Sequence, residues 1–79
     1  MPAGTREKKH YHEKASQYFF ILKGTATFEI EGEVIEAGTQ KLVEIKPLQK
    51  HLISNNGEED LEFILFSNPS TSNDRINVE

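Results

Sequence analysis

Apolar and polar residues alternate along most of this chain with a period of two. Ala26, Phe28 and Ile30 alternate with Thr25, Thr27 and Glu29, which predicts a half-buried strand with one apolar face. Glu31-Gly32 follows, a pair suited to the positive φ angles of a tight hairpin turn, and Glu33-Val34-Ile35-Glu36 then resumes as an antiparallel partner. Ala37-Gly38-Thr39 breaks the pattern. Leu42-Val43-Glu44-Ile45 reads as another strand, ending at Lys46-Pro47, where proline removes a ladder donor. His51-Leu52-Ile53-Ser54 is a short strand, Asn55-Asn56-Gly57 a turn, and Leu61 to Phe66 the last long run. Nearer the start, Tyr18-Phe19-Phe20-Ile21-Leu22 is aromatic and β-branched, which favours strand over helix. Six or seven short strands with turns between them predict an all-β sandwich or small barrel.

The body, residues 1–67, reads as one unit, and residues 68–79 as a polar tail. Asn68 to Asn73 has loop composition, and Asp74-Arg75 is expected to form an exposed ion pair in a frayed end. Seventy-nine residues is close to the size where one hydrophobic core needs help from a disulfide, a metal or a partner subunit. The chain has no cysteine, which excludes disulfides and makes a reducing cytoplasm the default expectation. No stretch is long and apolar enough for a membrane span, and Met1-Pro2-Ala3-Gly4 is no signal peptide. Thirteen acidic residues against nine basic ones, with no basic stripe, make nucleic acid an unsuitable partner.

The candidate chemistry centres on His10-Tyr11-His12. Residues two apart on a strand share a face, roughly 7 Å apart, so both imidazoles point the same way. Glu13-Lys14-Ala15-Ser16 is turn-prone; if it reverses the chain, Gln17 returns opposite the two rings. His51, on a separate apolar-flanked segment, would complete the set. Phe19 and Ile21 share the parity of Gln17 and, with Phe28 and Ile53, either line a ligand pocket or serve as plain core. Asn55 is expected to bond the turn that follows it.

These residues resemble the cupins, small antiparallel β-barrels of jelly-roll type, a double-stranded β-helix. The first cupin motif is a glycine, five residues, His-x-His, three or four residues, a glutamate, six residues and a glycine. Gly4, His10, His12, Gln17 and Gly24 fall on that spacing, with glutamine in place of glutamate. The second motif is matched by Pro47, His51 and Asn55. Two departures stand out. Leu48-Gln49-Lys50 fill the places where a glycine is expected before the histidine, and Gly38 sits early for the glycine that opens the second motif. The ending from Ser67 to Arg75 resembles that of small bacterial single-domain cupins of unassigned activity.

The resemblance implies one metal ion held by His10, His12, Gln17 and His51. Three imidazoles with an oxygen donor suit iron, zinc, nickel, manganese or copper rather than magnesium or calcium, and four protein ligands leave a position open for a small molecule. Glutamine for glutamate removes a negative charge, leaving a stronger Lewis acid that is held less tightly; Gln17 is otherwise an amide hydrogen-bonded within the barrel. Tyr11 and Tyr18 have the parity opposite to the ligands, and no glutamate stands clearly inside, which argues against a dedicated base and for chemistry at the ion. The implied activities are a metal-dependent enzyme of oxygenase or isomerase type acting on a small polar molecule, or a module that binds or senses a sugar or organic acid. Cupins commonly carry a strand or two ahead of the first motif. Here either such a stretch is missing or the barrel lacks an edge, and an open edge predicts a homodimer.

Overall fold

The structure, a computed structural model, describes residues 1–68 and 74–78. Among them are eight strands: β1 His10–His12, β2 Ser16–Lys23, β3 Ala26–Ile30, β4 Glu33–Ala37, β5 Leu42–Ile45, β6 His51–Ser54, β7 Glu62–Asn68 and β8 Arg75–Asn77. They form two antiparallel sheets, one in the order β4-β3-β6-β1-β8 and the other in the order β5-β2-β7. This is the expected all-β jelly roll.

The hairpin between β3 and β4 forms as the Glu31-Gly32 pair dictates, with φ of 50° and 84° at the two turn residues. Along β2 the alternation sends Gln17, Phe19 and Ile21 inward. Phe19 and Ile21 form one core cluster with Ala26 and Phe28 of β3, Ala37, Ile45, Ile53 and Leu61. Phe19 lies edge-on to Phe28, ring centres 5.1 Å apart. On the opposite face of β2, Tyr18 stacks on Phe66 of β7 at 5.2 Å.

The end of the chain is built differently from the frayed tail expected of residues 68–79. β7 runs to Asn68, and β8 pairs with β1 in the register His10↔Asn77, Tyr11↔Ile76 and His12↔Arg75. Three residues are too few for a periodic signal, so β8 escaped the pattern. Asp74 and Arg75 do not pair with each other. The Asp74 carboxylate accepts the backbone N–H groups of Glu13, Lys14 and Ala15 at 3.1, 3.2 and 3.0 Å, tying the β1–β2 turn to the start of β8. Desolvation works against its charge, yet these three bonds hold its carboxyl below the usual carboxylate range. The expected loop residues 69–73 lie outside the described residues.

Both irregular turns that depart from the cupin spacing have a backbone explanation. The left-handed position in the β4–β5 connection falls on Gln40, at φ 69°, two residues after Gly38. Before β6 the same conformation falls on Leu48, at φ 71°, a region that costs a residue with a Cβ about 1–2 kcal/mol. Its N–H bonds the carbonyl of His12 at 2.7 Å, so the strained turn ties β6 to the end of β1.

Candidate metal centre

β1 lies between β6 and β8, and His10 sits directly opposite His51. Directly opposed residues of an antiparallel pair share a face, and His12 reaches that face two residues on. All three imidazoles point inward and are at least 97% buried. Their ligand atoms lie within 4.8 Å of one another, and the ring centres are 4.4 to 5.7 Å apart. Gln17 faces them from the other sheet, its Oε1 3.1 Å from His51 Nε2. The four residues that the spacing singled out are thus brought to one place.

The hydrogen bonds set the tautomers. His10 Nδ1 lies 2.8 Å from the Lys8 carbonyl oxygen and His51 Nδ1 2.8 Å from that of Gln49. A carbonyl can only accept, so in the neutral rings both Nδ1 atoms carry the proton and both Nε2 atoms present a lone pair. That is the arrangement in which a histidine binds a metal while a backbone carbonyl orients it. His51 Nε2 then faces the Gln17 amide, which must either turn its NH₂ toward the ring or present its oxygen, beside the ring nitrogen, to a cation. Among the described residues neither nitrogen of His12 meets a hydrogen-bond partner, although both are buried. Leaving a buried polar group unpaired costs about 1–3 kcal/mol, and a cation would remove that cost.

The charge state agrees. Burial, reinforced by the neighbouring His10, holds His12 below the ordinary imidazole value. Burial pushes His51 down to about 4, against the opposing pull of its bond to Gln49. Both rings are therefore neutral at pH 7, the form that ligates. Three buried, inward-facing imidazoles, one of them unsatisfied, fit a divalent transition metal.

The other residues singled out from the sequence are also placed. Phe19, Ile21, Phe28 and Ile53 belong to the hydrophobic core, each no more than 2% exposed. Asn55 serves its turn: its Nδ2 donates to the carbonyls of Met1 and Glu59, and its Oδ1 accepts from Gly57 N–H. Tyr11 pairs with Ile76 and Tyr18 stacks on Phe66, both on outer faces. Sequence reasoning missed the position of Arg75 and Asn77. They sit opposite His12 and His10 on β8, and the only sequence signal was an apolar Ile76 between two polar residues.

Comparison with known proteins agrees with the fold. The family model described as a cupin domain matches residues 1–67. A double-stranded β-helix protein from Klebsiella pneumoniae is similar with a TM-score of 0.84 at 21% identity, over 99% of this chain and 68% of the other. A predicted oxalate decarboxylase from Thermotoga maritima gives 0.80 at 27% identity, over 85% of this chain and 58% of the other. A sugar phosphate isomerase of the cupin superfamily from Silicibacter pomeroyi gives 0.76 at 13% identity, over 85% of this chain and 45% of the other. The chain thus spans about half the length of the last two proteins. No curated protein matches its sequence. With the two-sheet jelly roll, the inward histidines of β1 and β6 and a family match over most of its length, this chain belongs to the cupins.

Proposed function

We propose that this cupin holds one divalent transition-metal ion, iron, zinc, nickel, manganese or copper, through His10, His12, His51 and the Gln17 amide oxygen. It acts there on a small polar molecule, as an enzyme of oxygenase or isomerase type. When bound, the ion supplies Lewis acidity toward a carbonyl or hydroxyl. The protein's part is to keep His12 and His51 neutral, to orient His10 and His51 through the Lys8 and Gln49 carbonyls, and to leave the ion's charge undiminished by using an amide where a carboxylate would reduce it. The observation that carries this reading is His12: buried, close to two other imidazoles, and with both nitrogens unsatisfied among the described residues. The relatives described as an oxalate decarboxylase and a sugar phosphate isomerase support small-molecule chemistry as the use of such a site.

The test is elemental analysis of the protein purified without added metal, beside His12→Ala. Wild type is expected to carry a transition metal in a substantial fraction of chains, and the variant at least about tenfold less, as loss of a ligand predicts. Equal metal content in the two would refute the site.

A second reading is a binding or sensing module for a sugar or organic acid. It is favoured by the outward placement of both tyrosines, which leaves no phenol beside the histidines for proton transfer. Tight binding without turnover across a panel of small substrates would decide for it. We further propose that the protein works in the cytoplasm as a homodimer; the half-exposed Ile64, Leu65 and Phe66 on the edge strand β7 support an interface there.

A further inference from the structure

The edge strand β8 brings one cation to the histidine face. Directly opposed residues of an antiparallel pair project to the same side. Because Arg75 opposes His12 and Asn77 opposes His10, both belong to the face that carries the three imidazoles, at its open margin. Ile76, between them, projects to the other face with Tyr11. The Arg75 side chain lies along this margin. Its Nε donates to Asn77 Oδ1 at 3.0 Å, and its Nη1 stands 3.9 Å from Glu7 Oε2, too far for a hydrogen bond. The side chain keeps 42% of its surface exposed. Among the described residues its Nη groups therefore have donors to spare, in the fork geometry that matches two oxygens of one anionic group.

We propose that Arg75 is the anion-recognising residue of the histidine site, and that the molecule taken there carries a carboxylate or phosphate group. This rests on the three-histidine cluster as the binding site, whether or not an ion fills it. Gln17 is uncharged, and among the described residues of this face Arg75 carries the positive charge at its margin. Asn77 holds the guanidinium in place through Nε. Glu7 is a weak competitor, since one of its oxygens already accepts the Ile53 N–H at 3.3 Å; an arriving anion takes over the Nη side of Arg75.

The experiment is calorimetric titration of the full chain, metal-stripped and zinc-loaded, with malonate, inorganic phosphate and neutral malonamide. In the stripped protein malonate or phosphate is expected to bind, malonamide at least about tenfold more weakly, and affinity to fall with added salt. Preference for malonate distinguishes a carboxylate ligand from a phosphate one. Arg75→Gln is expected to lose at least about tenfold in anion affinity, with Arg75→Lys intermediate because the charge stays and the fork does not. Glu7→Gln keeps an oxygen for Ile53 N–H and removes the competing charge, so its anion affinity should rise. Equal affinity of wild type and Arg75→Gln would overturn the proposal. So would equal binding of malonate and malonamide by stripped wild type, or an unchanged affinity in Glu7→Gln, neither of which depends on the Arg75 variant folding. Zinc content is measured in parallel. A chain that takes no zinc yet binds anions through Arg75 sinks the metal reading alone; one that takes zinc but ignores Arg75 sinks this one alone.

Discussion

Acidification of the metal-free protein tests the burial of the histidines directly. The folded state holds His51 at about 4, against 6.5 for a free imidazole, with burial as the first cause. Between those values the unfolded chain takes up a proton that the folded chain refuses. Stability therefore falls as pH drops from 6.5 towards 4, and this group adds no further loss below that. Above 6.5 both states are neutral and the effect vanishes. At about 1.4 kcal/mol per pH unit the full loss is roughly 3 kcal/mol. A domain of this size has roughly 4–12 kcal/mol in total, so the loss is a large share. His12 acts in the same direction. Asp74 does not enter this window, because its carboxyl is held below 3.8 and its contribution is lost only at lower pH.

The assay is urea unfolding in the presence of a chelator at pH 7.5, 6.5, 5.5 and 4.5. The midpoint should be level across the first two and fall across the last two, with the slope in urea unchanged. His51→Gln, which cannot titrate, should lose most of that fall. A midpoint that stays level from 6.5 to 4.5 in the wild type, or falls equally in the variant, would refute the burial argument. Zinc at pH 7.5 should raise the midpoint by mass action, and the gain should shrink with acid because protons compete for the same nitrogens.

Gln17→Glu should tighten zinc binding by at least about tenfold, read by competition with a chelator, because a full negative charge replaces an amide oxygen beside the ion; an unchanged affinity would place Gln17 outside the coordination sphere. Leu48→Gly should stabilise the protein by about 0.5–1 kcal/mol: the relief of roughly 1–2 at φ 71° exceeds the backbone entropy of roughly 0.5–1 that glycine adds. Lower stability in chemical denaturation would mean that the largely exposed Leu48 side chain matters more than its backbone. Light scattering at micromolar concentration should give twice the chain mass, and Phe66→Lys on the β7 edge should shift it to the monomer; a monomeric wild type would end the dimer proposal.

What the sequence disclosed and what it hid divide along a physical line. The alternation of β3 and the turn pair Glu31-Gly32 are local: strand period and backbone handedness act within a few residues, and both reappear in the structure. The histidine pair on β1 is legible for the same reason, since parity alone puts His10 and His12 on one face. β8 is not legible. Its three residues carry no period, and what holds them is the ladder to β1 and the Asp74 carboxylate reaching back about sixty positions along the chain. Arg75 beside His12 is a fact of that ladder, and no local pattern predicts it.

The same distinction bears on how binding and folding are linked. His10, His12 and His51 all belong to one sheet, while Gln17 stands on the other. An ion held by the histidines alone would tie β1 to β6, strands already joined by their own hydrogen bonds. An ion that also engages Gln17 would tie the two layers across the core, where Phe19 and Phe28 otherwise hold them together. The stabilisation that zinc confers at a fixed ratio of concentration to Kd is the same in both cases. What differs is where protection falls: direct ligation by Gln17 should slow amide exchange at the start of β2, whereas ligation by histidine alone should slow it in β1 and β6 and leave β2 unchanged.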